Sequence, residues 1–289
     1  MSNYLNNIGY TVGHEMEIVN GVFLDAQAEY LEKRPLNLDY DDWVNSSADT
    51  EEEKKELEDY KGPDFFSFNK FSLDITLKYV PFQKYYTEPY KKIIVGSNYP
   101  TFALNYRKGI PGIFNSIANY DFVELRVWDD MQFGSFGESR WKIFTGKFLN
   151  SASLRFTENK FFRMSDSWFF SNPLRSFQLL DTSLSTYKEY FEAHYLHCFE
   201  GKLLNKIPLI KKLHLTEVVG GGVLYINDNN FQHVELFAGI EKPFTITRWK
   251  QRYKISCYYV VSDSNFSKVN GMVKFGISMY DPFTNSWTY

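Results

Sequence analysis

At 289 residues the chain has room for one large β domain or two ordinary ones, and its 44% apolar residues are enough to pack either. No apolar run approaches the roughly 18 residues of a membrane-spanning helix, which excludes helical spans and leaves strand-built ones open. The net charge of -3 gives no broad attraction to nucleic acid, and the outlying figure is 19% aromatic residues, which suits either a very aromatic core or two interfacial girdles.

Met1 is followed by SNYLNN, with neither a basic start nor an apolar signal core. That reads as a cytosolic protein or a piece of a longer precursor. Residues 10–19 and 22–34 then alternate in character around a tight Asn20–Gly21 turn. An acidic insertion occupies 35–69. Its Thr50 and Glu53 resemble a capping box with a short exposed helix over 51–60, and its Asp39, Asp41 and Asp42 lack the glycine and distal glutamate of an EF-hand. A solvated loop is the plain reading; a surface for divalent ions or lipopolysaccharide is the functional one.

The alternation is cleanest over 70–80. Phe71, Leu73, Ile75, Leu77 and Tyr79 share one face, while Lys70, Ser72, Asp74, Thr76 and Lys78 share the other. Segments 99–110, 120–133 and 138–149 repeat the pattern less strictly. In 187–201, Phe191, Ala193, Tyr195, His197 and Phe199 oppose Glu192, His194, Leu196, Cys198 and Glu200. A connector over 202–213 breaks the period. Strand patterns resume over 214–226, 233–242, 248–261 and 270–280, giving about eleven strands near ten residues each, longer than the usual five or six of soluble sheets.

If successive strands run antiparallel, the connections 35–69, 111–118, 150–186, 227–232 and 262–269 fall at one end. The turn at 20–21 and connections 81–98, 134–137, 202–213 and 243–247 fall at the other. The two longest loops share an end, as in outer-membrane barrels with long extracellular loops and short periplasmic turns. The first strand starts at the outer end, so at least one earlier strand is expected. The whole chain, 1–289, therefore reads as all-β: the C-terminal fragment of an antiparallel transmembrane β-barrel.

Candidate chemistry is sparse. His194 and His197 lie on opposite faces of a strand and cannot share a metal, and no metal site is expected. His194 or His233 with Ser256 would be the pieces of a wall-embedded hydrolase, but no third member and no G-x-S-x-G motif stands with them. Gly220, Gly221 and Gly222 lack the Lys–Ser/Thr of a phosphate loop and read as close wall packing. No catalytic residue and no cofactor is expected. Cys198 and Cys257 read as two half-buried free thiols, with a single disulfide as the alternative.

Asp74, Lys78, Glu124, Arg126, Lys250, Arg252 and Lys254 fall on the lumen side, there to tune a channel or to pair inside a filled barrel. Tyr187, Tyr190, Tyr195, Trp249, Tyr253, Tyr258 and Tyr259 read as girdle residues. The connector offers Asn205, Lys206, Ile207, Pro208, Lys211 and Lys212 as a periplasmic docking point.

YPTFALNYRKGIPG at 99–112, GKFLN at 146–150, NPLRSFQLL at 172–180, VELFAGIE at 234–241 and above all GKLLNKIPLIKKLHLTEVV at 201–219 resemble a family of outer-membrane proteins of Bacteroidota of unknown function. Full-length members carry an N-terminal carboxypeptidase-regulatory-like domain. The resemblance implies an outer-membrane barrel of a Gram-negative cell, with no agreed catalytic residues to carry over. The expected function is non-enzymatic: surface transport, assembly or envelope maintenance. Its expected partners are outer-membrane lipid, lipopolysaccharide and a periplasmic or outer-membrane protein. The alternatives are a soluble aromatic-rich β-sandwich that binds glycans and, after it, the barrel-embedded hydrolase.

Overall fold

A computed structural model of the chain describes residues 5–35, 67–180, 184–208, 210–228, 230–246, 251–265, 267–281 and 286–288. The acidic residues 36–66, including the expected helix, lie outside the described residues, as do Lys250 and Trp249. The strands are β1 (Leu5–Val19), β2 (Val22–Pro35), β3 (Phe68–Tyr79), β4 (Lys84–Glu88), β5 (Lys91–Gly96), β6 (Thr101–Gly109), β7 (Asn119–Gln132) and β8 (Glu138–Ser153). They continue with β9 (Lys160–Phe161), β10 (Ser185–Thr186), β11 (Tyr190–Cys198), β12 (Thr216–Ile226), β13 (Phe231–Ile246), β14 (Gln251–Ser264), β15 (Ser267–Asp281) and β16 (Ser286–Thr288).

Twelve of these make one antiparallel meander in the order β1-β2-β3-β6-β7-β8-β11-β12-β13-β14-β15-β16. The eleven long members are the eleven segments expected from alternation, and they pair antiparallel in chain order. Among the described residues, two connections hold short strands of their own. Residues 81–98 carry the separate β4–β5 hairpin, and β9 pairs with β10 in a second two-stranded piece. At the first turn Gly21 supplies a φ of 84°, and a Cβ there would stand 2.4 Å from the Val80 carbonyl oxygen, so the position tolerates glycine alone.

On β13, β14 and β15 the two faces differ and the buried one is the more polar, whereas β12 buries Val218, Leu224 and Ile226 and β1 is exposed along nearly all its length. Along β13, His233, Glu235 and Glu241 are buried together with Phe237, while Val234, Leu236 and Ile240 are exposed. Glu235 is 1% exposed and Leu236, its neighbour, 65%. β15 repeats this: Lys274 and Ser278 are buried and Val273, Phe275 and Ile277 are exposed. Register carries the apolar face from strand to strand, for example Leu24–Leu77–Leu104–Leu125 across β2, β3, β6 and β7.

The sheet is not closed. β1 pairs with β2 alone, and no pairing joins β1 to β15 or β16 among the described residues. The far edge of β15 is taken twice by the chain itself. β16 pairs with Met279–Asp281, and further up the Phe170 amide donates to the Phe275 carbonyl (2.7 Å) while the Phe275 amide donates to that of Trp168 (3.1 Å).

Residues 154–180, expected within an outer surface loop, instead fold back onto the inner face. Phe162, Phe177 and Leu180 pack with Tyr120, Phe122, Tyr190 and Leu224 in one core cluster. Phe170, Leu174 and Leu179 join Leu196, Val218, Phe237 and Tyr258 in a second. One short segment thus touches strands from β2 to β15, so the sheet wraps around it. This filling also corrects two girdle assignments. Tyr190 and Tyr258 point inward, fully buried, because the segment gives their rings something to pack on; Tyr195 and Tyr259 do stand exposed on the outer face.

Candidate functional site: a filled inner face and an exposed connector

Burying charge is costly unless each ion is matched, so the inner face can be read by its pairs. Glu158, on the inserted segment, accepts hydrogen bonds from Lys33 Nζ and, at 3.3 Å, from the Tyr120 hydroxyl, and Lys70 Nζ lies 2.8 Å away. Burial works to raise its pKa; Lys70 and Lys33 outweigh burial and hold the carboxyl below the ordinary carboxylate range. Glu124 of β7 accepts from Arg126, from Tyr190 and, at 2.8 Å, from Lys160 of the segment. The segment is therefore fastened at its start by ion pairs to both sides.

Its tip is fastened differently. Glu235 of β13 accepts from the amides of Gln178 (2.7 Å) and Leu179 (3.2 Å), and Lys274 of β15 donates to the carbonyls of Asp166 and Gln178. The Phe177 ring sits 4.7 Å from that of His194 and 5.6 Å from that of His233. It fits because Gly222 lies beneath it: a Cβ there would meet the ring at 2.9 Å. The glycine run is close wall packing, as its composition suggested. Phe170 stacks on Tyr258 with centroids 3.7 Å apart.

The expected lumen charges do pair. Asp74 lies 3.1 Å from Arg107, Glu124 meets Arg126, and Lys254 is 2.9 Å from Glu241. Lys78 instead covers the Phe23 ring at 5.0 Å, and Arg252 covers those of Tyr280 and Trp287. The hydrolase pieces are not brought together. His194 Nε2 is held 2.8 Å from Glu192, and β12 and β13 stand between it and β14. His233 is in register with Ser264, eight residues beyond Ser256 on β14, or roughly 26 Å at the rise of a strand. Cys198 and Cys257 are both free and half-buried.

The connector forms two 3-10 turns, Leu204–Lys206 and Ile210–Leu213. The Leu204 amide donates to the Glu217 carboxylate, the Lys211 amide to the Ile207 carbonyl (2.9 Å), and Lys202 Nζ to the Gly134 carbonyl (3.2 Å), tying the connector to the neighbouring turn. Lys206, Ile207, Pro208, Lys211 and Lys212 are exposed, as are Leu203 and Leu213. It presents lysines and apolar side chains together at one end of the sheet.

Glu158, Lys160, Arg163, Arg175 and Phe177 escaped the sequence reading because they sit in a segment without periodicity. The signal was available in composition: residues 156–170 (FTENKFFRMSDSWFF) are too aromatic for a solvated loop.

Residues 1–240 match the family described as "Family of unknown function (DUF5686) C-terminal domain". The chain belongs to this family. The match spans β1 to β12 and much of β13, and the strands after it continue the same sheet without a break in pairing. No curated protein and no solved structure matches the chain.

Proposed function

We propose that this DUF5686-family chain is part of the wall, together with the internal plug, of a non-enzymatic outer-membrane β-barrel of a Gram-negative cell. The observation that carries the reading is the inverted polarity of the later strands: Glu235 buried beside exposed Leu236 on β13, with Lys254 and Ser256 buried beside exposed Ile255 on β14 and Lys274 buried beside exposed Phe275 on β15. A soluble sheet exposes its polar face, whereas a barrel strand in lipid turns its apolar face out. The exposed Leu, Ile, Val, Phe and Tyr of ten of the eleven long strands far exceed the isolated surface hydrophobics of a soluble protein. The unpaired edge of β1 belongs to the same proposal. Each unsatisfied backbone group in hydrocarbon costs several kcal/mol, so in the membrane that edge is covered by a pairing partner.

The plug favours handling of a cargo, in surface transport or assembly, over a permanently open pore. The exposed connector, at the end with the shorter turns, serves as the periplasmic docking point for a protein partner. At the two ends of the plug the inner face supplies ion pairs and packed rings, an arrangement for holding the plug and not for acid–base work. Cell fractionation tests the reading. The protein should stay with the membranes through high-salt and alkaline washes and leave them only with detergent; recovery as a folded soluble monomer would overturn it.

A further inference from the structure

Between the inner wall and residues 154–180 lies a cavity of about 470 Å³, inside the range of about 300–1,000 Å³ common for small-molecule sites. Arg126 and Trp128 of β7, Lys142 and Phe144 of β8 and Glu192 of β11 form one side, all at inward positions in register with one another. Lys160, Phe161, Arg163 and Arg175 of the inserted segment form the other. Five cations thus face one carboxylate.

That carboxylate is already engaged by His194, and Arg126 and Lys160 share Glu124 as their partner. Lys142, Arg163 and Arg175 are different. Among the described residues they make no ion pair and no side-chain hydrogen bond. Arg175 repels Lys142, which Asp130 attracts from outside the cavity lining, and the lining holds no unengaged carboxylate for Arg163 or Arg175. A multiply charged anion would resolve the imbalance. A phosphomonoester carries about -1.5 to -2 at neutral pH and three acceptor oxygens, which suits two guanidinium forks and one ammonium. The flat rings of Trp128, Phe144 and Phe161 supply stacking surface for whatever bears the phosphate.

We propose that this cavity binds a phosphomonoester carried on a ring-bearing body such as a hexose, with Arg163, Arg175 and Lys142 on the phosphate and the aromatic trio against the ring. The site lies on the inner face, so the proposal stands apart from whether the outer face meets lipid. The phosphate has two sources, a soluble sugar phosphate or a lipid headgroup, and the probes separate them.

The full chain, purified in a zwitterionic detergent, is titrated calorimetrically with inorganic phosphate, glucose 6-phosphate, glucose and dihexanoyl phosphatidic acid. Glucose 6-phosphate should bind more tightly than inorganic phosphate, glucose should give no signal, and affinity should fall as salt is raised. Phosphatidic acid binding tighter than glucose 6-phosphate makes a headgroup the source; the reverse order makes it a soluble sugar. Arg163→Ala and Arg175→Ala should each weaken binding by about tenfold, the loss expected for one hydrogen bond to a charged group. Both side chains are exposed, so the variants keep the fold, and Arg175→Gln, which retains shape and polarity, should show the same loss. Lys188→Ala, removing a lysine paired with Asp228 in another part of the molecule, should leave binding unchanged. Silence from both phosphate esters at millimolar concentration, or undiminished affinity in the Arg163→Ala/Arg175→Ala double variant, would overturn the proposal.

Discussion

Gly222 and Glu158 show how single residues hold the plug against the wall. Valine suits a strand better than glycine does, so Gly222→Val would be neutral or favourable if the strand alone mattered. With the Phe177 ring 2.9 Å from where its Cβ would stand, the substitution should instead cost about 1–3 kcal/mol, the usual range for overpacking. Urea titration should show the loss, and limited proteolysis should show cleavage within 154–180 before the strands open. Glu158→Gln leaves Lys33 buried without its counter-charge, Lys70 keeping Glu29 at 3.0 Å, and should cost about 3–5 kcal/mol. The pH dependence has a definite sign. A carboxyl held below its unfolded pKa of about 4.3 contributes stability in full above that value. The contribution is lost as pH falls through the lower folded value. Protease sensitivity of the segment should therefore rise on acidification in the unmodified protein, and this acid-dependent component should be absent in Glu158→Gln.

Among the elements, the long strands were legible in the sequence and the plug was not, for one physical reason. A strand writes its two environments into adjacent residues, so Phe71, Leu73 and Ile75 against Ser72, Asp74 and Thr76 reveal a two-faced ribbon without any knowledge of the partners. The plug has no such period. Its burial depends on Glu235 and Lys274, far along the chain, reaching the backbone around Gln178. Tyr190 and Tyr258 were misread as girdle residues for the same cause: a tyrosine faces inward or outward according to what fills the interior. The lumen charges were legible as inward and paired, since buried ions need partners, but the partner of Lys160 or Lys33 could not be named from spacing. The connector was legible as a break in period, and its exposed lysines give a test. Lys211→Glu with Lys212→Glu should abolish capture of the proposed periplasmic partner while leaving the thermal transition unchanged, because both side chains are exposed. Undiminished capture would remove the docking role.

At the scale of the whole molecule, one arrangement governs the rest: strands that are oily outside and ionic inside, wrapped about a segment of the same chain. The cores lie between wall and plug, and no second large sheet is laid against the wall among the described residues. That leaves the outward row of β13 without a protein neighbour, and its surroundings decide the account. A charge on this row separates the possibilities. Leu236→Arg would be worth no more than about 0.5 kcal/mol on a water-exposed surface, yet about 2–4 kcal/mol near a bilayer midplane.

The most direct measurement places a nitroxide at each of positions 234, 236, 238 and 240 in turn, with Cys198 and Cys257 replaced by serine, in protein reconstituted into phospholipid vesicles. Collision rates are then compared for oxygen, which concentrates in acyl chains, and for a water-soluble nickel chelate. The account predicts high oxygen and low nickel accessibility at all four sites, with oxygen greatest at the central pair. Nickel accessibility matching that of a label at Lys188, a water-exposed loop position, would contradict it.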